Sequence, residues 1–260
     1  MDQRFAFEGL DNFRDFGGFP AADSRRLRAG RLYRSASHGR ATDADLEALH
    51  ALGISVIVDL RREAERERDP SRRHPEFACE VIASGAGYDE GDSWLDHITS
   101  SDLSPESFRA YMLRYYRDAP FNPRLIDLYS RYFQALAEVD GPVLIHCSAG
   151  KDRTGILAAL THHVAGVAPE HAMADYLATN DPVRLERRLP QVTQVIFEHT
   201  GRTLPPETVM VAMGVEAQYL DTAFAAMGER CGDTDRYLAE ALGVGPDIQA
   251  AVRARLLAPA

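Results

Sequence analysis

The sequence predicts an α/β fold: a mainly parallel central sheet flanked by helices, with a helical lid insertion and a helical C-terminal extension. Three observations lead there. The runs Ile54-Ser-Val-Ile-Val-Asp-Leu60 and Pro142-Val-Leu-Ile-His146 are mostly apolar without strict alternation, as strands buried on both faces are. Such runs alternate with segments of helical spacing, the pattern of parallel sheets covered by helices. A chain of 260 residues can bury a substantial core, and the expectation is a single domain over residues 1–260.

Residues 1–40 read as short strands and turns. Thr42 is the expected N-cap of a helix over residues 42–52, with Asp43 and Asp45 in its first turn and Gly53 as its stop. Residues 54–60 form a buried strand, and Cys79–Ala83 is expected to form another. Between them, residues 61–74 mix basic and acidic side chains and read as a short solvated helix or loop. Residues 85–123 are the least regular stretch, with helical spacing through Phe108, Met112, Tyr115 and Tyr116. Lying between two strands, they suit either a lid over the sheet's working edge or an extra packing helix. Residues 161–260 read as an entirely helical elaboration, broken near Gly166, Asp181-Pro182, Gly201, Pro205-Pro206, Gly232 and Gly243.

The net charge of −10 argues against nucleic acid or an anionic membrane as a partner. An anionic substrate would need a local basic pocket, for which Arg14, Arg34, Arg61, Lys151 and Arg153 are candidates. Cys79, Cys147 and Cys231 are odd in number and widely spaced, which argues against a disulfide framework and for a reducing compartment. The N-terminus lacks a basic stretch followed by an apolar one, and no apolar run reaches the ~18 residues of a membrane span. The expected location is cytoplasmic, or exported without a cleaved signal peptide. His162 and His163 are adjacent and cannot form a helical i, i+4 metal pair. Neither a metal nor another cofactor is expected.

The most telling segment is His146-Cys-Ser-Ala-Gly-Lys-Asp-Arg-Thr154. A strand leads in and a helical pattern leads out, so the loop between them can hold a phosphate with its amides and the helix dipole. Ser148, Ala149, Gly150, Lys151, Asp152 and Arg153 would line that cradle. Cys147 stands where the anion would sit, and a helix N-terminus with a nearby cation favours the thiolate, the nucleophilic form. Arg153 can grip two phosphate oxygens with its planar fork. Gly150 allows the backbone to curl. Thr154 could hydrogen-bond the sulfur, and His146 is a candidate for fixing the loop from below. The plain alternative is a buried cysteine that ends a strand.

These residues resemble the signature of the cysteine-dependent protein tyrosine phosphatase superfamily, His-Cys-x5-Arg-Ser/Thr. The lysine and aspartate before the arginine look like a bacterial tyrosine phosphatase branch that is described as accepting phosphotyrosine, phosphoserine or phosphothreonine, and phosphoinositides. Asn12-Phe-Arg-Asp-Phe-Gly-Gly18, Arg31-Leu-Tyr-Arg-Ser35, Val58-Asp-Leu-Arg61 and Ala174-Asp-Tyr-Leu-Ala-Thr-Asn-Asp181 are similar to further motifs of that branch. The resemblance implies a tyrosine phosphatase-like fold, a helical lid, and a phosphorylated protein or phosphoinositide as substrate.

A general acid should protonate the leaving oxygen. The Trp-Pro-Asp tripeptide of many superfamily members is absent, which leaves Asp152, Asp59 and Asp96 as competitors. Asp152 could instead cap the following helix, and Asp59 could merely orient Arg153. Lys151 could bind an additional phosphate, as on an inositol ring, or pair with a carboxylate. Two further readings stay open: a non-catalytic phosphate-binding module, and a rhodanese-like sulfurtransferase, whose loop is typically shorter.

Overall fold

The computed structural model describes residues 7–85 and 94–258. Its centre is a five-stranded sheet of Arg14–Asp15 (β1), Leu32–Ser35 (β3), Val143–His146 (β6), Val56–Asp59 (β4) and Glu80–Ala83 (β5), side by side in that order. The last four are parallel, and β1 runs antiparallel at one edge. Arg26–Leu27 (β2) pairs separately with Leu257–Ala258 (β7). The register aligns Ser35, His146 and Asp59 at the carboxyl ends of their strands. Ligand sites in parallel sheets lie at that edge.

The strands are buried on both faces, which explains their unbroken apolar runs. Leu32, Val56, Val58, Val143 and Ile145 face the larger core, whereas Tyr33, Ile57 and Leu144 join Leu10, Phe13, Leu46 and Leu49 in a smaller one. The smaller core is closed by Asp43–Ala51 (α1), whose Thr42 and Asp45 form a reciprocal capping box. The chain then gives Glu63–Arg68 (α2), Trp94–Ser100 (α3), Pro105–Asp118 (α4), Pro123–Glu138 (α5) and Asp152–Val164 (α6). The stripe Leu125, Leu128, Tyr129, Tyr132, Phe133 and Leu136 turns α5 onto the sheet beside α6. The hydroxyls of Tyr132 and Thr161 join the two helices at 2.8 Å.

Beyond α6 come Pro169–Leu177 (α7), Pro182–Thr200 (α8), Pro206–Met213 (α9), Ala217–Cys231 (α10), the short Thr234–Arg236 (α11) and Pro246–Leu256 (α12). The C-terminal hundred residues are therefore mostly helical as expected, except that β7 returns to pair with β2. A two-residue strand carries no period for a sequence to display.

The segment 85–123 lies partly outside the described residues. Within them, α4 is a packing helix: Met112 and Tyr116 enter the main core, and Phe108 joins Ile98, Leu185, Ile196 and Val209 in a third cluster with α3, α8 and α9. No helix among the described residues is long and apolar enough to cross a membrane.

Candidate active site

The loop between β6 and α6 is shaped by its carbonyls. Ser148 O accepts from Ser37 N–H at 3.1 Å. Ala149 O and Gly150 O accept from Asn12 Nδ2 at 3.3 and 2.8 Å. Gly150 O also receives Arg34 Nη2 at 2.9 Å, and Lys151 O receives Gly155 N–H at 2.7 Å. With successive carbonyls bonded to surrounding protein, the loop backbone is held in one fixed curve after Cys147. Gly150 has φ +66°, and a Cβ there would lie 2.4 Å from Ser35 O, so both conformation and space require glycine.

The braces come from the flanking motifs. Arg14 and Arg34 face each other across β1 and β3, two like charges in register. Asp175 of α7 reconciles them, accepting Arg14 Nε at 2.8 Å and Arg34 Nη1 at 2.6 Å. Burial would raise the Asp175 pKa, but the two arginines outweigh it and hold the carboxyl below its ordinary range. Burial, followed by the charge of Arg34, pulls Arg14 down to about 10. Arg14 Nη1 in turn donates to Asn12 Oδ1 at 2.6 Å, which aims the Asn12 amide at the loop. Arg14 and Arg34, expected as candidates for a substrate pocket, thus hold the loop backbone instead.

Cys147 is 2% exposed, on the floor of the cradle. Arg153, in the first turn of α6, is gripped by a residue the sequence did not announce. Glu65 of α2 accepts Arg153 Nη1 at 2.6 Å and Nη2 at 2.8 Å, and Ser148 Oγ at 2.6 Å. Burial opposes the charge on Glu65, yet Arg153 and these hydrogen bonds keep its carboxyl well below the usual range. Residues 61–74 were expected to be solvated; Glu65 and the buried Arg61 correct that reading. One of the acids there pairs with the loop arginine.

Asp59 is 2% exposed. Arg61 donates to both its oxygens, Nε to Oδ1 at 2.9 Å and Nη2 to Oδ2 at 2.8 Å. Burial alone would raise the Asp59 pKa, but His146 and Arg61 hold it below the ordinary range. A carboxylate so committed is suited to bracing. His146 Nε2 lies 3.6 Å from it, and the His146 ring stacks on His38 with centroids 4.3 Å apart. Burial lowers the His146 pKa to about 4, so the ring is neutral at pH 7.

Asp152 opens α6 with a side chain 19% exposed. Its Oδ1 accepts Tyr116 O–H at 2.8 Å, and Tyr116 in turn accepts Tyr176 O–H at 2.8 Å. Tyr115, half-buried on α4, stands within electrostatic reach of Arg153, Asp152 and Cys147, and burial raises its phenol above the ordinary range. Asp96 is an exposed residue of α3.

Lys151 does not reach into the cradle. Its Nζ donates to Ala212 O at 2.9 Å and Gly214 O at 3.1 Å, capping the C-terminal end of α9. The Thr154 hydroxyl is fully buried without a hydrogen-bond partner, so the expected bond to the sulfur is not formed in this state. Cys79 precedes β5, whose Glu80 pairs with Val56 at the amino end of β4. Cys147 follows the carboxyl end of β6, so the two cysteines occupy opposite edges of the sheet. His50, His74 and Glu76 bring potential metal-ligating atoms within 4.8 Å of one another, a grouping that the separate spacings hid. It lies beside Gly53 and Ile54, at the amino edge of the sheet, remote from Cys147.

A sequence model described as a tyrosine phosphatase family matches residues 5–258. A Cupriavidus necator protein, named among the tyrosine-protein phosphatases, is 33% identical over 92% of this chain and 84% of its own. The triple specificity protein phosphatase PtpB of Mycobacterium tuberculosis is 31% identical over 90% of this chain and 92% of its own. A tyrosine-protein phosphatase of Nostoc commune is 35% identical over 60% of this chain and 51% of its own. With a family match over nearly the whole length and motifs that meet around one loop, the chain belongs to the tyrosine phosphatase family of enzymes.

Proposed function

We propose that the protein hydrolyses phosphate monoesters on protein side chains, phosphotyrosine foremost and phosphoserine and phosphothreonine as well, through a cysteinyl-phosphate. The observation that carries this reading is the loop itself: its carbonyls are tied to the surrounding protein, and Arg153, held by Glu65 and close to Ser148 of the loop, closes the segment that begins at Cys147. The triple specificity in the name of the mycobacterial relative supports the breadth.

In the first step the Cys147 thiolate attacks phosphorus and the bond to the leaving oxygen breaks. Arg153 and the loop amides hold the equatorial oxygens, where preorganised donors contribute most. Glu65 keeps the Arg153 fork in one orientation without a proton of its own to give. Asp152 supplies the proton to the leaving oxygen. It is the partly open carboxyl beside the cradle, whereas Asp59 is sealed against Arg61. In the second step water attacks phosphorus, the S–P bond breaks with its electrons returning to sulfur, and Asp152 takes the water's proton. Thr154 O–H, buried without a partner, donates to the departing thiolate.

An inositol phosphate reading would use Lys151, but that ammonium is committed to α9. The test is phosphate release from phosphotyrosine, phosphoserine and phosphothreonine peptides and soluble phosphoinositides, each beside Cys147→Ser. Peptide turnover lost in the variant is expected. Peptide turnover retained by a clean Cys147→Ser preparation would refute the mechanism.

A further inference from the structure

At the amino edge of the sheet, away from Cys147, the end of α1 meets the segment that leads into β5. Two imidazoles and a carboxylate come together there. His50 lies in the last turn of α1. His74 and Glu76 lie in a turn that Pro75 favours and that Phe77 N–H closes on His74 O at 3.0 Å. The rings of His50 and His74 stack with centroids 4.2 Å apart and planes 14° from parallel. His50 Nε2 is 3.6 Å from Glu76 Oε2, and one ligating atom from each of the three residues lies within 4.8 Å of the others. Around a tetrahedral zinc ion the donors stand roughly 3.3 Å apart, given ion–ligand distances of about 2.0–2.1 Å. The closure still needed falls on exposed arms, since the side chains of His50 and Glu76 are 43% and 79% exposed and that of His74 only 12%.

His74 is the fixed member and already holds the tautomer that a ligand needs. Its Nδ1 accepts from Glu76 N–H at 3.1 Å, so the lone pair is on Nδ1. In the neutral ring the proton is then on Nε2, which donates to Glu47 Oε1 at 3.1 Å. An ion taking the place of the amide hydrogen at Nδ1 would leave Nε2–H on Glu47, the carboxylate–histidine–metal arrangement that fixes ligand rings. Glu47 stands one turn before His50 on α1, so a single helix supplies both a ligand and the brace. The neighbouring arginines are engaged elsewhere. Arg72 Nη2 donates to Asp43 at 2.5 Å, and Arg73 Nη1 donates to His38 Nδ1 at 2.8 Å.

We infer that His50, His74 and Glu76 bind a divalent transition-metal ion, zinc by the chemistry of the donor set, with water in the fourth position and Glu47 bracing His74. Two imidazoles and one carboxylate suit zinc, whereas calcium and magnesium favour oxygen ligands alone. The ion's role is structural. It ties α1 to the segment before β5, and that segment carries Arg73, which bonds His38 where it stacks on His146. The chemistry at Cys147, on the opposite edge of the sheet, does not use it, so the inference stands apart from the phosphatase reading.

The test uses the untagged full chain as Cys147→Ser, which removes a thiolate that would itself take zinc, after metal is stripped with a chelator. Calorimetric titration with zinc chloride at neutral pH is expected to give one ion per chain with a Kd below about 10 µM. His50→Ala and His74→Ala should each weaken binding about tenfold or more, and Glu47→Gln about tenfold. Zinc should raise the melting temperature of the Cys147→Ser chain and leave that of His50→Ala/Cys147→Ser unmoved. His50 is exposed, so melting of its variant without metal shows whether the fold is intact. X-ray absorption should find only nitrogen and oxygen around the ion. Binding weaker than about 10 µM, or affinity unchanged in both histidine variants, would overturn the site. Sulfur in the first shell would overturn the ligand set in favour of Cys79, which lines the same cleft.

Discussion

At the scale of single residues, the site is a division of labour among charges. Asp152 is partly open, with Oδ1 accepting from Tyr116 and Oδ2 3.9 Å from Lys151 Nζ, and in the proposed mechanism it serves the leaving group. Asp152→Asn should lower kcat on phosphotyrosine peptides by about 10²–10⁴-fold. The loss should be much smaller with an aryl phosphate whose leaving phenol needs no proton, and steady-state kinetics on both substrates would separate the cases. Equal losses would mean that Asp152 acts only through structure. Glu65 has the opposite character, an ionised carboxylate that never needs to protonate. Glu65→Gln leaves Arg153 without its bidentate partner and should lower kcat/KM about tenfold and stability by about 1–3 kcal/mol, read by kinetics and urea melts. The loop was legible in sequence because Cys147, Gly150 and Arg153 fall within nine consecutive residues. Glu65 was not: it lies 88 positions from Arg153, in a charged stretch that looks solvated until the sheet brings β4 beside β6.

At the scale of elements, the phosphate loop is held by pieces that are short and distant in sequence. Asn12, just before β1, and Arg34 of β3 bond the loop directly, and Asp175 of α7 holds Arg34 in place. The motifs containing these residues were visible, but their roles were not, because arginine beside a phosphate loop suggests substrate binding. Burial decides otherwise, since Arg34 is fully enclosed with its charge already paired. Helix α1 was readable down to its cap, as Thr42 and Asp45 are local signals. The α3–α4 segment offered helical spacing but no indication that Tyr116 would reach Asp152. Gly150 is the most constrained point of the whole assembly. Gly150→Ala should cost about 3 kcal/mol, from the positive φ and the clash with Ser35 together, and calorimetry with phosphate binding would register both losses.

At the scale of the whole molecule, the buried ionisable groups predict two stages of acid sensitivity. His146 is lowered by burial to about 4, and His38 is shifted the same way. As pH falls below about 6.5, the unfolded chain takes up protons that the folded chain refuses, so stability drops until about pH 4. Asp59, Glu65 and Asp175 are held below the ordinary carboxylate range. Their contribution is present above about pH 4 and lost only below it. Urea midpoints between pH 7 and 4.5 should therefore decline, and His146→Asn should flatten that decline. A wild-type midpoint that is constant over this range would contradict the burial of neutral histidines beneath the loop. The α/β class and the site's edge were readable from apolar runs and one motif. The β2–β7 clasp and the braces were not, because they depend on partners more than a hundred residues away.

The central claim is that Cys147 carries the phosphoryl group during turnover. Acid-quenching the protein within its first turnovers on a phosphotyrosine peptide, digesting it and weighing the fragments tests this directly. A phosphoryl adduct on the fragment that contains Cys147, absent from Cys147→Ser, is the predicted result. Wild-type turnover with no adduct at any quench time, together with phosphate release by Cys147→Ser, would contradict the account.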